Sequence, residues 1–295
     1  MSTPAIEIEN LVHCYGRSEA VHGLSLKVEP GQCYGFFGRN GSGKTTTIKC
    51  LLNLLRPHSG RIRVLGLDPA KQEVEFKSRL AYVPDQVAFY PWMDVRAVLD
   101  YQASFRERWN RGTEAELLSR FRLNPAAPTR GLSKGQRTQL ALIAAICAEP
   151  DLLVLDEPTS GLDPLVRREF IQTVIGAYQD AAPGRRTVFV STHLISEFEG
   201  LIDRFTVLDQ GRAILTADAD EARGRYRRLR AEFSAEPPPG TDFPTAKSVR
   251  REGRALELIV NGDGDAVREQ LRARNPIRLE SEALTLEEIF LFAVQ

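Results

Sequence analysis

The sequence predicts an α/β fold followed by a small α+β domain, and three observations lead to that prediction. A short apolar segment, Cys33–Phe37, runs into a glycine-rich loop and then into a helical pattern. A continuously apolar segment, Asp151–Leu155, ends in two carboxylates, which is typical of a buried strand in a parallel sheet. The composition changes after Thr216, where arginines and then prolines become frequent. We therefore expect one large domain over residues 1–216 and a second over residues 217–295.

The composition is that of an ordinary globular protein, with 42% hydrophobic and 26% charged residues in 295. Lys plus Arg and Asp plus Glu number 39 each, so no overall field favours nucleic acid or anionic lipid. The four cysteines show no metal-site spacing, which predicts buried, reduced thiols in the cytosol. The longest apolar run, Leu140–Ala148, is less than half of the roughly 20 residues that cross a bilayer. Met1–Ala5 does not resemble the start of a secretory signal, so we expect a cytoplasmic chain.

The glycine-rich loop Gly38–Thr46 fits the P-loop pattern G-x-x-x-x-G-K-[ST]. Glycines let successive backbone N–H groups face one anion, and the following helix, predicted over Thr46–Leu55, points its positive end at the same place. Lys44 offers a charge to the β- and γ-phosphates, and Thr45 offers a hydroxyl to Mg²⁺. An ordinary glycine turn is the alternative, but the flanking strand and helix favour a nucleotide site. The predicted nucleotide-binding residues of this loop are Gly38, Arg39, Asn40, Gly41, Ser42, Gly43, Lys44, Thr45 and Thr46.

Two carboxylates, Asp156 and Glu157, follow the apolar strand at the end where open α/β sheets bind ligands. Because burying such a pair without a cation is costly, we expect Asp156 to hold Mg²⁺ and Glu157 to polarise an attacking water. A pair of strand caps is the weaker alternative. His193 lies just after another predicted buried strand, Thr187–Ser191. A lone histidine is most often a structural hydrogen bonder, but at this position it is a candidate contact to the γ-phosphate.

Two further features have both a structural and a functional interpretation. Tyr15 lies in a turn, where it suits either stacking on an adenine ring or a plain structural role. Gly131–Gln136 opens a helix, and Ser133 with Gln136 forms an S-x-x-Q capping box. A capped helix start with a glycine, here Gly135, in its first turn is also an anion site.

Alternating apolar and polar residues predict half-buried strands at Ala5–Val12 and Leu24–Val28, antiparallel and near a sheet edge. Further strands are predicted at Ile62–Leu65 and Leu80–Val83, and a hairpin over Phe205–Leu215.

The segment Asp85–Ala127 is predicted to be an all-helical insertion rich in loops. Its aromatic residues, which include Trp92, Trp109 and Phe121, are interpreted either as core or as a docking face.

The residues after Thr216 predict a small α+β domain without a catalytic constellation. Arginines between Arg223 and Arg230 form a basic cluster, which we interpret as a solvated strand face or linker rather than a lipid or RNA site. Pro237–Gly240 follows as a linker, then a helical pattern over Ala266–Arg274 and a T-x-x-E capping box at Thr285.

Taken in chain order, these motifs resemble the ATP-binding cassette (ABC) ATPases, the nucleotide-binding subunits of ABC transporters, over about residues 5–216. The resemblance implies that Tyr15 stacks on adenine and that Gly38–Thr46 is the Walker A loop. It further implies that Asp156 ends the Walker B strand and that Glu157 is the general base.

The resemblance also covers a second group of motifs. Leu132–Gln136 is similar to the family signature LSGGQ, Ser160–Asp163 to the D-loop, and His193 to the switch histidine. In this family the signature of a second copy completes the nucleotide site. The signature residues implied to bind nucleotide are Ser133, Gly135 and Gln136.

The sequence departs from the family pattern at two positions. Lys134 stands where the signature has its first glycine, although Ser133 and Gly135 are kept. Asp85 stands where the family often has a glutamine that contacts the metal and water, and Gln86 follows it. Either Asp85 or Gln86 therefore takes the metal-sensing role.

The resemblance implies a P-loop NTPase cassette with a RecA-like α/β core, an antiparallel β subdomain and a helical subdomain over about residues 85–150. It implies an ATPase with ATP and Mg²⁺ as cofactors, which forms a sandwich dimer with a second copy or a homologous ATPase. Such a dimer drives a separate integral-membrane permease from the inner face of the cell membrane.

Within the family, Tyr82–Met93 and the C-terminal domain ending in Leu286–Phe290 look like ATPases of ABC-2-type exporters. The alternative is a soluble cassette ATPase acting on ribosomes or nucleic acid, but such chains usually carry two cassettes or a long coiled coil. A small-molecule P-loop kinase would not need the signature. No nucleic-acid partner is expected.

Overall fold

The computed structural model describes residues 3–179, 186–237, 243 and 246–294. The chain divides into two compact units, Met1–Thr216 and Ala217–Gln295. The roles assigned above to the two domains stay predictions.

The first unit contains both strands and helices, and a second set of strands and helices follows. The strands are β1 (Ile6–Tyr15), β2 (Ser18–Val28), β3 (Cys33–Gly38), β4 (Ser59–Val64), β5 (Leu80–Val83), β6 (Leu152–Asp156), β7 (Thr187–Thr192), β8 (Arg204–Asp209), β9 (Arg212–Asp218), β10 (Tyr226–Glu232), β11 (Ala246–Glu252), β12 (Ala255–Asn261) and β13 (Arg278–Ala283). The helices are α1 (Lys44–Leu51), α2 (Glu73–Ser78), α3 (Val95–Ala103), α4 (Arg111–Arg120), α5 (Lys134–Cys147), α6 (Pro164–Gln179), α7 (Ile195–Phe198), α8 (Ala219–Arg225), α9 (Gly264–Arg272) and α10 (Leu286–Ala293).

The central sheet of the first unit has the order β5-β6-β7-β3-β8-β9. The adjacent pairs β5–β6, β6–β7, β7–β3 and β3–β8 are parallel, and β3, β6 and β7 are buried along their whole length. The register pairs Asp156 with Ser191 and Phe37 with Thr192. Because the carboxyl ends of parallel strands meet at one edge, the P-loop, the two carboxylates and His193 converge there.

A second sheet, in the order β2-β1-β4, confirms the predicted antiparallel pairing of the first two strands. The predicted position near an edge is also observed in the described sheet, because β2 is an edge strand and β1 lies next to it, between β2 and β4, with Ile6 opposite Val64 and Ile8 opposite Ile62.

The helix after the P-loop begins and ends earlier than predicted. It was expected over Thr46–Leu55 and is observed over Lys44–Leu51. Asn53 adopts a left-handed φ of 57°, and the N–H of Leu54 turns back to donate to the Lys49 carbonyl oxygen at 2.8 Å. This C-terminal capping geometry ends the helix although apolar residues continue.

The hairpin predicted over Phe205–Leu215 is confirmed. Strands β8 and β9 are neighbours, and the residues between them, Gln210 and Gly211, have φ values of 45° and 76°. Two positive φ values are the mark of a tight hairpin turn.

Helices α3, α4 and α5 lie between strands β5 and β6, in the helical subdomain implied over about residues 85–150, and the first two lie in the predicted insertion Asp85–Ala127. Its aromatic residues divide between the two interpretations. Phe121 is buried, whereas Trp92 is 74% exposed. Trp109 is half-buried and donates from Nε1 to Glu114 Oε2 at 2.6 Å. Glu114 is buried and also pairs with Arg111 at 2.8 Å, so this carboxylate ties the insertion together.

The second unit is a four-stranded antiparallel sheet in the order β11-β12-β10-β13. Apolar residues of the sheet and of α9 form its core. This core contains Leu229, Ala231, Phe233, Phe243, Leu256, Leu258, Val260, Val267 and Leu271. Helix α9 covers Gly264–Arg272 rather than the predicted Ala266–Arg274. The predicted capping box is confirmed, with Thr285 Oγ1 accepting from Glu288 N at 3.1 Å.

The basic cluster of the second unit is neutralised by acidic partners. Arg228 lies 3.0 Å from Glu282 and 2.9 Å from Glu288, and Arg230 lies 2.8 Å from Glu257. These pairs agree with a solvated strand face. Of the predicted proline-rich linker, residues 238–240 lie outside the described residues.

All four cysteines are free thiols. Cys33, Cys50 and Cys147 are buried, and burial raises the pKa of Cys50 to about 11 and that of Cys147 to about 12. Cys14 is only half-buried, so the prediction of burial is wrong for it. Among the residues that the structure describes, no helix is both long and apolar enough to span a membrane.

Candidate functional site

The loop after β3 curls back on itself in front of α1. Gly41 and Gly43 have φ values of 82° and 103°, which residues with a side chain rarely adopt. A Cβ atom at Gly43 would lie 2.5 Å from the carbonyl oxygen of Ala20, so only glycine fits there. Lys44 Nζ donates to the Gly38 carbonyl oxygen at 2.7 Å and closes the loop.

Two observations show that this loop fits a phosphate group. Ser42 Oγ is buried and finds no hydrogen-bond partner within the described part of the chain. The N-cap residue of α1 is Gly43, which has no side chain to accept from the first backbone N–H groups of the helix. Buried polar atoms and helix N-termini are normally satisfied, so both features fit a loop whose partner is a bound anion.

Asp156 ends strand β6 as a buried carboxylate. Its Oδ1 accepts a hydrogen bond from Ser191 Oγ at 3.1 Å. Burial raises the pKa of Asp156 above its ordinary value, while hydrogen bonds from the hydroxyls of Thr45 and Ser191 oppose the rise. The carboxylate of Asp156 and the hydroxyl of Thr45 supply oxygen ligands, and the negative charge of the carboxylate is only partly compensated. Together they fit a divalent cation such as Mg²⁺.

Glu157 contacts two other residues predicted to belong to the site, Lys44 and His193. Its Oε1 lies 3.0 Å from Lys44 Nζ, an ion-pair contact without hydrogen-bond geometry. Its Oε2 lies 2.8 Å from His193 Nδ1 and accepts from Thr192 Oγ1 at 3.2 Å. Three neighbouring strands therefore bring a cation, a carboxylate and an imidazole together, which the sequence predicted only as separate candidates.

These residues border one cleft of about 440 Å³. Tyr15, 52% exposed, lines it, and the edge-on ring of His13 lies 4.9 Å from the tyrosine ring between centroids. The segment after β5 that holds the two metal-sensing candidates, Asp85 and Gln86, is called the lid segment here. Asp85 lines the cleft, whereas Gln86 is exposed and does not line it. The residues that line the cleft are Tyr15, Ala20, Asn40, Gly41, Gly43, Lys44, Thr45, Thr46, Asp85, Glu157, Ser160 and His193.

The predicted signature residues are not among those that line this cleft. Gln136 N donates to Ser133 Oγ at 3.2 Å, and Ser133 N donates to Gln136 Oε1 at 3.0 Å, which confirms the capping box of α5. A Cβ at Gly135 would lie 3.2 Å from Val166 Cγ1, so the glycine permits close packing against α6. Their nucleotide contacts stay a prediction.

The sequence reasoning missed residues that hold the carboxylates in place. Ser191 and Thr192 donate hydroxyl hydrogen bonds to Asp156 and Glu157. The parallel register of β6 with β7 would identify these two residues, but it is known only once the strand order is known.

Comparison with known proteins gives relatives of one kind. Residues 21–160 match the ABC transporter family. The chain is 31% identical to the daunorubicin resistance ATP-binding protein DrrA3 of Streptomyces coeruleorubidus, over 99% of this chain and 96% of that protein. It is 31% identical to the Nod factor export ATP-binding protein I of Burkholderia orbicola, over 99% of this chain and 97% of that protein. The bacitracin transport ATP-binding protein BcrA of Bacillus licheniformis is 32% identical, over 77% and 74% respectively.

Solved structures agree with these relatives. The ATP-binding subunit of an ABC transporter superposes with a TM-score of 0.67 at 26% identity, over 75% of this chain and 92% of that one. The predicted P-loop cassette fold is thereby confirmed. The loop geometry, the cleft and these similarities lead to one conclusion: the chain belongs to the ATP-binding subunits of the ABC transporter family, whose members are ATPases that power transport.

Proposed function

We propose that this chain is the ATP-hydrolysing subunit of an exporter and drives a separate integral-membrane permease from the inner face of the cell membrane. The observation that carries the proposal is the contact of Lys44, Glu157 and His193 within one cleft beside the P-loop. The similarity to proteins named for daunorubicin resistance and for Nod factor export supports the direction of transport.

The cleft residues divide the chemistry of ATP hydrolysis among them. The P-loop and Lys44 hold the phosphates, and Tyr15 packs against the base. Thr45 and Asp156, with Asp85 nearby, would hold Mg²⁺, which neutralises charge on the phosphates. Glu157 accepts a proton from the attacking water, and His193 orients that carboxylate through the 2.8 Å contact.

A second copy of the chain completes the site in this proposal. Ser133, Gly135 and Gln136 do not line the cleft of their own chain, yet they form a capped helix start. Presented by a partner copy, this helix start would bind the γ-phosphate from the side that the P-loop leaves open. Hydrolysis then removes the ligand that joins the two copies.

An exposed aromatic patch on the helical insertion is the proposed docking face for the permease. The patch consists of Tyr90, Trp92, Tyr101 and Phe105. The rings of Tyr90 and Trp92 stack at 4.7 Å between centroids, and those of Tyr101 and Phe105 meet edge-on at 5.0 Å. Contiguous exposed aromatic rings are typical of an interaction surface, and this one follows the lid residue Asp85 in the chain.

The proposal is tested by co-purifying the tagged chain from gently solubilised native membranes and identifying its companions by mass spectrometry. We expect a multi-span membrane protein at near-equal stoichiometry. The double variant Trp92→Ser with Phe105→Ser should lose it, whereas Val74→Ser, at an exposed apolar residue of α2, should keep it. Recovery of ribosomal proteins instead would favour the soluble alternative and reject the exporter.

A further inference from the structure

The two positions at which the sequence departs from its family pattern face each other in the structure. Lys134 Nζ, at the start of α5, lies 3.9 Å from Asp85 Oδ1, in the lid segment after β5. Both side chains are partly exposed, at 50% and 39%. The lysine that replaces a signature glycine therefore pairs with the carboxylate that replaces a lid glutamine.

Asp85 belongs to the nucleotide cleft as well as to this ion pair. It lines the cleft together with Lys44, Thr45 and Glu157. The pKa of Tyr82 on β5 is raised by burial and then by the carboxylates of Asp156 and Asp85, so both negative charges act on the same region. Asp85 is thus a carboxylate within reach of two different cations, the lysine and a metal ion in the cleft.

Lys134 also contacts a third segment. A Cβ atom at Gly161, between β6 and α6, would lie 3.0 Å from Lys134 Nζ and 3.7 Å from its Cδ. Gly161 has a φ of 68°, so the turn itself also favours glycine. The end of the lysine side chain, including its charged Nζ, therefore lies against the D-loop and also faces Asp85.

We propose that Lys134 is a positioning residue that competes with the metal–nucleotide complex for Asp85. While Asp85 pairs with Lys134, its charge is partly neutralised and the lid is tied to the start of α5. When Mg²⁺ and nucleotide enter the cleft, Asp85 turns to the metal and Lys134 is released. The signature loop thereby responds to the nucleotide state of its own chain. This inference rests on the proposed nucleotide function of the cleft.

Competition for one carboxylate makes a reciprocal prediction, because two linked equilibria change each other by the same factor. Removing Lys134 should free Asp85 and tighten the binding of Mg²⁺–nucleotide. Since exposed ion pairs contribute modestly, the expected gain in affinity is about two- to five-fold. High salt should shrink it, because charges at the surface are screened over about 3 Å at 1 M ionic strength.

A double-mutant cycle measures this coupling with a fluorescent, non-hydrolysable ATP analogue and the full chain. Lys134→Gln should lower the Kd in the presence of Mg²⁺. The gain should vanish when Asp85→Asn is also present, and it should vanish in EDTA. Equal effects of Lys134→Gln with and without Asp85, or a gain that persists in EDTA, would overturn the proposal.

Two controls separate this inference from the function on which it rests. Lys71→Gln removes a similar exposed pair, with Asp68 at 3.5 Å, and should leave the Kd unchanged. Lys44→Ala should weaken nucleotide binding at least about ten-fold, as expected for a lost charge-assisted bond. If Lys44→Ala weakens binding but the cycle shows no coupling, only the role of Lys134 fails. If Lys44→Ala binds like the wild type, the nucleotide site and this inference fail together.

Discussion

At the scale of single residues, the backbone of Glu157 is in a conformation that needs support. Its φ is 46°, in the left-handed region, where a residue other than glycine costs about 1–3 kcal/mol. Lys44 contacts one oxygen of its carboxylate, and Thr192 and His193 contact the other. Strain of this kind persists where neighbouring contacts over-determine a position, and in this chain it orients a candidate base.

The variant Glu157→Gln keeps the size of the side chain but removes its basicity. We expect turnover to fall about 10²- to 10⁴-fold, the usual contribution of a positioned base, with nucleotide affinity retained. Phosphate release and a nucleotide titration measure the two effects. Glu116→Gln, at an exposed residue of α4, serves as the control. Wild-type turnover in Glu157→Gln would remove this residue from the mechanism.

At the scale of elements, the residues at the start of α5 that are predicted to bind nucleotide also have an observed structural role. Ser133 caps the helix through its side chain, and Gln136 returns the bond. Loss of such a cap costs about 0.5–2 kcal/mol, so Ser133 would be retained for stability alone. Its function can therefore be tested only with a variant that preserves the cap.

Ser133→Asp preserves the cap, because aspartate is as good a cap as serine, whereas Ser133→Ala does not. We expect Ser133→Ala to lower the free energy of unfolding by about 1 kcal/mol in urea titrations and Ser133→Asp to leave it near the wild-type value. Both variants should lose ATPase activity, the aspartate more completely because its charge repels phosphate. Wild-type activity in Ser133→Asp would contradict a signature role.

The ion pairs of the second unit predict a pH dependence. Burial alone would raise the pKa of Glu288, but hydrogen bonds from Thr285 and Arg228 outweigh it and lower this pKa. A carboxylate with a lowered pKa stabilises the fold above its unfolded value of about 4.3, and the stabilisation disappears as the pH falls through the folded value.

Glu288→Gln keeps the capping box and removes the charge. Because these groups are near the surface, we expect it to cost less than about 1 kcal/mol at neutral pH and to reduce the loss of stability in acid. Thermal unfolding followed by circular dichroism at several pH values checks this. Glu287→Gln, one residue away, is the matched control. An unchanged acid dependence in Glu288→Gln would show that the pair with Arg228 is not responsible.

At the scale of the whole molecule, the described cleft is bordered by the P-loop, Tyr15, Asp85, Ser160 and the strand ends, while the signature residues lie elsewhere. If the signature residues of another copy complete the site, as proposed, ATP lies in the interface between the two chains. The association of two chains should therefore depend on unhydrolysed nucleotide.

Light scattering of Glu157→Gln with Mg²⁺ and ATP should give twice the mass found with ADP. Adding Ser133→Asp to the same chain should return it to a monomer, because the repelled phosphate no longer joins the two copies. A monomer at saturating ATP in Glu157→Gln would contradict the sandwich.

Local patterns in the sequence were sufficient to identify the main candidate residues of the site. The P-loop, the Asp156–Glu157 pair and the two capping boxes each depend on residues a few positions apart, so spacing alone reveals them. The buried parallel strands were also predictable, because burial on both faces requires an unbroken apolar run. The exact end of α1 was not, since the left-handed turn at Asn53 competes with a helical apolar pattern.

Only the tertiary structure decided which of these residues meet. The strand order places β7 between β6 and β3. Ser191 and Thr192 therefore donate hydrogen bonds to the two carboxylates, and His193 contacts Glu157. The pairing of Asp85 with Lys134 likewise depends on where the lid and α5 come to lie. By itself the sequence determined the residue types and the local geometry, because these follow from short-range backbone chemistry. Contacts between distant segments depend on how the whole chain packs, and patterns of neighbouring residues do not reveal that packing.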